Sequence, residues 1–202
     1  MYPHKTLLLT MMINISVILS CSFSWNPTGP LTPLQRLSQF YLFDEVPGWT
    51  PAWNSHFNML PVDSLSHTIG SKATLYKKDG LQYYFVETMD GGTIINPASS
   101  SHNFSAYVED FGNATNSKTI FDTITNTYSV SDTLYLTGFS PSTARAFRIQ
   151  DGADVFATFD RYYFKFELTG YTDSSAVSDA MGFLTEYQEL EKQLANNVLA
   201  TN

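Results

Sequence analysis

Cysteine is nearly absent from this chain. Among 202 residues there is one, Cys21, so no internal disulfide can staple the fold and a hydrophobic core must hold it. Basic residues are also scarce: 11 Lys and Arg stand against 19 Asp and Glu, a formal net charge of −8. That balance disfavours nucleic acid, whose phosphates need cationic partners, and electrostatic adhesion to anionic headgroups. Histidine occurs four times, at His4, His56, His67 and His102, with no His-Glu-x-x-His pattern and no close pair. A Gly-x-Ser-x-Gly elbow and a phosphate-binding loop with its lysine are both missing. No apolar run reaches the roughly 20 residues that a membrane-spanning helix needs.

What is present begins at the N-terminus. Lys5 precedes a mostly apolar stretch from Leu7 to Leu19, which ends in Ile18-Leu19-Ser20-Cys21. A basic start, a short apolar region and a small-residue ending describe a cleaved export signal rather than a span. The ending resembles the bacterial lipobox, with an aliphatic residue at −3, a small residue at −1 and then cysteine. The resemblance implies that Cys21 receives a diacylglyceryl thioether and becomes the acylated N-terminus. Ordinary secretion, with Cys21 left as a free thiol, is the competing reading, and a buried cytosolic cysteine comes last. Lipidation is preferred because it consumes a reactive thiol that has no partner. The expected organisation is a signal peptide at 1–20, a tether at 21–35 and one domain at 36–202. Loss of Lys5 with the signal moves the formal charge from −8 to −9, so membrane attachment would rest on acyl chains.

The tether is read from Pro27, Pro30 and Pro33, which resist helix and extend the chain. Leu34 to Phe43 then reads as a short amphipathic helix. Trp49 and Trp53 follow among Pro47 and Pro51 and are candidate ligand-binding residues, as a carbohydrate platform. Aromatic residues in such a place more often plug a core, and that reading is favoured. The chain carries 12 Tyr, 15 Phe and 3 Trp, enough to build a core without disulfides.

From Leu60 the pattern becomes regular. Val62, Leu65, Ile69 and Ala73 are at helical spacing, with a turn at Lys77 to Gly80. Strands are expected at 81–89, 104–111, 134–138, 144–149, 154–159 and 162–169. In Tyr163 to Leu168 polar and apolar residues alternate, which suits a sheet wet on one face. Residues 114–128 read as a helix capped by Asn116 or Ser117. Val177, Ala180, Phe183, Leu184, Tyr187, Leu190 and Leu194 form one stripe of a C-terminal helix from about Ser175 to Leu194. Lys78-Asp79-Gly80 before Tyr83-Tyr84-Phe85 echoes Gln150-Asp151-Gly152 before Tyr162-Tyr163-Phe164. The expected class is α+β: an antiparallel sheet with the C-terminal helix and one or two further helices packed on it, in two pseudo-repeated sheet-plus-helix units if the echo is structural.

From about Val46 to Leu190 the chain resembles a family of exported bacterial proteins and lipoproteins to which no activity is assigned. The matching features are Gly48-Trp49, the run Thr68 to Tyr76, Phe111-Gly112, Arg161-Tyr162-Tyr163 and the terminal helix. The chain lacks the asparagine that the family places before Gly70 and has Thr74 where the family favours Glu, so no role of those polar residues transfers.

Two classes of function stay open. The favoured one is a lipid-anchored envelope protein with a non-catalytic binding or structural role, needing no cofactor. Its partners would be the bilayer, through acylated Cys21, and an envelope protein or glycan. Ser22 after the cysteine favours the outer membrane if the source is Gram-negative. The alternative is an envelope hydrolase assembled from scattered groups, with His56, His67 and Asp110 as candidates. Glu87, Glu109 and Asp110 could be paired acids on neighbouring strands, although solvent-facing carboxylates are the default in so acidic a chain. Asp151 to Asp154 reads as a turn rather than a calcium loop.

Overall fold

Among the described residues eight strands, the longest of them rich in β-branched and aromatic residues, pair into one antiparallel sheet. The computed structural model describes residues 31–42, 45–51, 60–61, 72–91 and 103–200. The strands are β1 (Trp49–Pro51), β2 (Leu60–Pro61), β3 (Tyr83–Gly91), β4 (Asn103–Asp110), β5 (Thr133–Leu134), β6 (Ala144–Ile149), β7 (Gly152–Phe159) and β8 (Tyr162–Thr169). Their order is β1-β3-β4-β8-β7-β6-β5, with β2 also paired to β3. The helices are α1 (Pro33–Ser38), α2 (Lys72–Lys78), α3 (Ala114–Thr125) and α4 (Asp173–Ala200). The class is therefore α+β.

Because side chains alternate across a strand, the register sorts the sheet into two faces. Phe85, Val108, Phe164, Ala157 and Ala144 lie in one row of the first face. Glu87, Ala106, Phe166, Val155 and Ala146 form the next row. Helix α4 covers this face with Ala176, Ala180, Phe183, Leu184 and Tyr187, all buried. On the same face the described residues of 31–42 and 45–49 insert Leu37, Phe40, Leu42, Val46 and Trp49. Phe40 meets Tyr162 and Phe164 edge-on, with centroids 4.6 and 5.4 Å apart. Each such ring removes apolar surface worth about 2–3 kcal/mol from water, which replaces the missing disulfides.

The second face carries Tyr84, Phe147, Phe156 and Tyr163, covered by α2 through Ala73 and Tyr76 and by α3 through Ile120 and Phe121. Helices thus occupy both faces.

Several boundaries differ from the expectation, for local reasons. Helix α3 starts at Ala114 because Asn113 caps it, its side chain accepting from the Asn116 N–H at 2.9 Å. Ser117, expected as a cap, is instead buried, bonded to the Thr158 hydroxyl at 2.9 Å and donating to the Asp160 carbonyl. Helix α2 runs through Lys77 and Lys78, where cations favour a helix C-terminus, and the chain turns at Gly80 with φ +91°. The strand expected at 134–138 stops at Leu134, ahead of a turn containing Gly138 at φ +85°. Helix α1 begins at Pro33, its first turn closed by a reciprocal Thr32–Gln35 capping box. Helix α4 extends from Asp173 to Ala200, longer than its apolar stripe, with Thr172 accepting from the Ser175 N–H.

The internal echo is half real. Two adjacent hairpins, β3-β4 and β7-β8, are each followed by a helix, but the helices lie on opposite faces of one sheet. The turns Lys78 to Gly80 and Gln150 to Gly152 both precede a first strand. Tyr83-Tyr84-Phe85, however, lies in the first strand of its hairpin and Tyr162-Tyr163-Phe164 in the second.

Candidate functional site

Cys21, Trp53, His56, His67 and His102 lie outside the described residues. Trp49 is 5% exposed and meets Phe104 and Phe183 edge-on at 5.1 and 5.6 Å. Both sides of the indole are occupied by the core, so it plugs the first face and presents no platform to a ligand.

The three acids of β3 and β4 are not solvent-facing, contrary to the default reading. Glu87, Glu109 and Asp110 are 0%, 2% and 0% exposed. Nor are they paired with one another. Glu87 sits opposite Ala106 and Glu109 opposite Tyr84, so strand alternation places those two carboxylates on opposite faces of the sheet. Asp110 is committed to Arg161, which grips it with Nε on Oδ1 at 2.7 Å and Nη2 on Oδ2 at 2.8 Å. The Gly112 N–H donates to Oδ1 at 2.8 Å. A carboxylate held by a two-pronged guanidinium is a structural anchor and a poor general base.

Helices α2 and α3 cover only one end of the second face. At the other end Tyr107, Tyr128, Lys165, Glu167 and Asp154 are half-buried. The Tyr107 hydroxyl donates to Glu167 Oε2 at 2.8 Å, and Lys165 pairs with Glu167 while its ammonium lies 5.3 Å from the Tyr107 ring centre. The Tyr128 hydroxyl donates to Asp154 Oδ2 at 2.5 Å, and its ring stacks on Phe147 at 4.5 Å. Burial first, then the neighbouring Glu167 and Asp154 carboxylates, hold the Tyr107 and Tyr128 hydroxyls protonated well above the ordinary tyrosine range. This part of the sheet therefore offers neutral hydroxyls, aromatic edges and one cation in fixed geometry. The alternation in Tyr163 to Leu168 anticipated a wet face. It could not show that the wet part is only the Lys165–Glu167 half, because that depends on where α2 and α3 dock.

No family model matches this chain, and no curated protein sequence does. Among solved structures the chain is similar to the extracellular domain of PknH from Mycobacterium tuberculosis, with 12% identity, a TM-score of 0.48, and coverage of 81% of this chain and all of that one. A likeness at this level carries nothing about activity. Among the described residues, no group of three or more His, Cys, Asp and Glu side chains could hold a metal ion, and no helix is long and apolar enough to cross a membrane.

Glu87 was named in the sequence as one of three candidate paired acids, but its burial was not anticipated. Glu87 points into the first face, fully buried with the Leu42 main chain beside its carboxyl, and the Tyr187 hydroxyl, also fully buried, has no hydrogen-bond partner. Burial raises the Glu87 carboxyl to about 8; Glu45 adds to the rise and the Leu42 main chain offsets part of it. The signal was present in Tyr83-Phe85-Glu87-Met89, since a lone acid in an apolar register must be buried if that face is covered.

Proposed function

We propose that this chain is a lipid-anchored cell-envelope protein, acylated at Cys21, that binds an envelope protein or glycan without catalysing a reaction. The observation that carries the reading is Ile18-Leu19-Ser20-Cys21, the only cysteine of the chain, at the end of a short apolar stretch behind a lysine. Lipidation gives that thiol a chemical purpose, and two or more acyl chains hold a protein stably at a bilayer where an acidic surface would not. The binding role draws support from how the described acids are used: Asp110 is tied to Arg161, Glu167 to Lys165 and Tyr107, and Asp154 to Tyr128. The contact surface is assigned to the open end of the second face, around Tyr107, Lys165 and Tyr128, whose mixture of rings and polar tips suits a polar partner.

The test is metabolic labelling of producing cells with a clickable palmitate analogue, beside a Cys21→Ala variant. Wild type is expected to take up label and fractionate with membranes, and the variant to do neither. An unlabelled wild type, or a variant labelled equally, overturns the anchor.

A further inference from the structure

We infer that the open end of the second face is a glycan site, which takes a neutral, hydroxyl-rich oligosaccharide laid across β4, β8, β7 and β6. Such a site rests on the contact surface assigned to that face and narrows its partner to one chemistry.

The groups stand in a row. Asp154 and Glu167 lie directly opposite one another on β7 and β8. Like charges facing each other across two strands cost stability, and Lys165 offsets only Glu167. The two carboxylates are held from opposite sides by tyrosines. Tyr107, on β4, donates to Glu167 Oε2 at 2.8 Å. Tyr128, past the end of α3 with its ring on Phe147 of β6, donates to Asp154 Oδ2 at 2.5 Å. The order across the sheet is thus ring, carboxylate, carboxylate, ring. Three inter-strand spacings separate β4 from β6, roughly 14 Å, a span that a short oligosaccharide fills.

The chemistry of each group selects the partner. Sugar hydroxyls donate and accept. Carboxylate oxygens accept from them, and Asp154 Oδ1 is open to do so because the Tyr128 bond uses Oδ2. The tyrosine hydroxyls spend their protons on the carboxylates and keep lone pairs that accept, while the Lys165 ammonium donates. The rings add apolar surface with a polar tip, which suits a sugar's mixture of C–H and O–H groups.

Charge and shape disfavour the other partners. After Lys165 offsets Glu167, one acid remains, on a chain of formal charge −8, so a glycan carrying sulfate, phosphate or carboxylate groups is repelled. A protein partner needs a large apolar anchor. The large apolar side chains exposed among the described residues, Leu34, Val130 and Tyr135, all lie outside the strands.

The facing acids also separate a binding role from a structural one. Asp154→Asn removes the repulsion and keeps an oxygen for the Tyr128 hydroxyl, so Tm is expected to hold or rise while glycan affinity falls about tenfold or more. The purified full chain is tested against immobilised cello-, chito-, malto- and mannohexaose, with heparin and alginate oligosaccharides as anionic controls. Binding of a neutral hexasaccharide in preference to the anionic ones, lost in Asp154→Asn at unchanged or higher Tm, is the expected result. The inference is overturned if no neutral hexasaccharide binds, if the anionic ones bind better, or if Asp154→Asn binds as wild type does. Should Asp154→Asn fail to fold, amide NMR shifts of wild type titrated with the same hexasaccharides decide: changes that avoid β4, β7 and β8 overturn it equally. A photo-cross-linking amino acid placed at Tyr107 in producing cells tells this failure from failure of the surface itself. An envelope protein captured there, with no hexasaccharide bound, overturns the glycan and keeps the surface; neither capture nor glycan binding removes both.

Discussion

Severing the Asp110–Arg161 pair should be among the most damaging single changes to this protein. Asp110 is 0% exposed, whereas the Arg161 side chain retains 20% exposure. The two partners therefore suffer differently when the other is removed. Arg161→Met leaves a buried carboxylate with one remaining donor, the Gly112 N–H, and an uncompensated buried charge costs about 3–5 kcal/mol. Asp110→Asn leaves a guanidinium that can turn toward water and toward Gln82 Oε1, already 3.3 Å away, so about 1–3 kcal/mol is expected. The double variant Asp110→Asn, Arg161→Met removes both charges and should recover much of the loss, giving a coupling on the order of 2 kcal/mol in a double-mutant cycle. Urea denaturation measures all four proteins; for a domain of this size each 1 kcal/mol lost lowers Tm by about 2–4 °C. If Arg161→Met costs less than about 1 kcal/mol, or if the two single effects simply add, the pair is not the anchor described.

Two further perturbations test the fold. Gly152 has φ +146°, and a Cβ there would stand 1.9 Å from the Leu168 carbonyl oxygen. Gly152→Ala should therefore force β7 from β8 and destabilise by about 1–3 kcal/mol, read as a lower urea midpoint. Phe183 is fully buried, with Phe104 edge-on at 4.5 Å and Trp49 at 5.6 Å. Phe183→Ala should cost about 3–5 kcal/mol; a loss near zero would mean that α4 does not pack on the first face.

Strands β6 and β8 were legible to the residue, and α3, β3, β4, β7 and the start of α4 to within a few residues, because their patterns of two and 3.6 run uninterrupted; the end of α4 lies six residues beyond the last residue of its apolar stripe. What sequence could not show was decided at a distance. Asn113 took the cap from Asn116 because Ser117 was needed against Thr158 and Asp160, more than 40 residues away. The three acids of β3 and β4 looked solvent-facing because exposure depends on which faces are covered, and helices from both hairpins cover both. Trp49 was read correctly as a core plug from the tendency of large rings to bury, although its partners Phe104 and Phe183 could not be named. The candidate hydrolase set was illegible for a different reason: Asp110 drew attention as an acid, and its neutralising Arg161 lies 51 positions on.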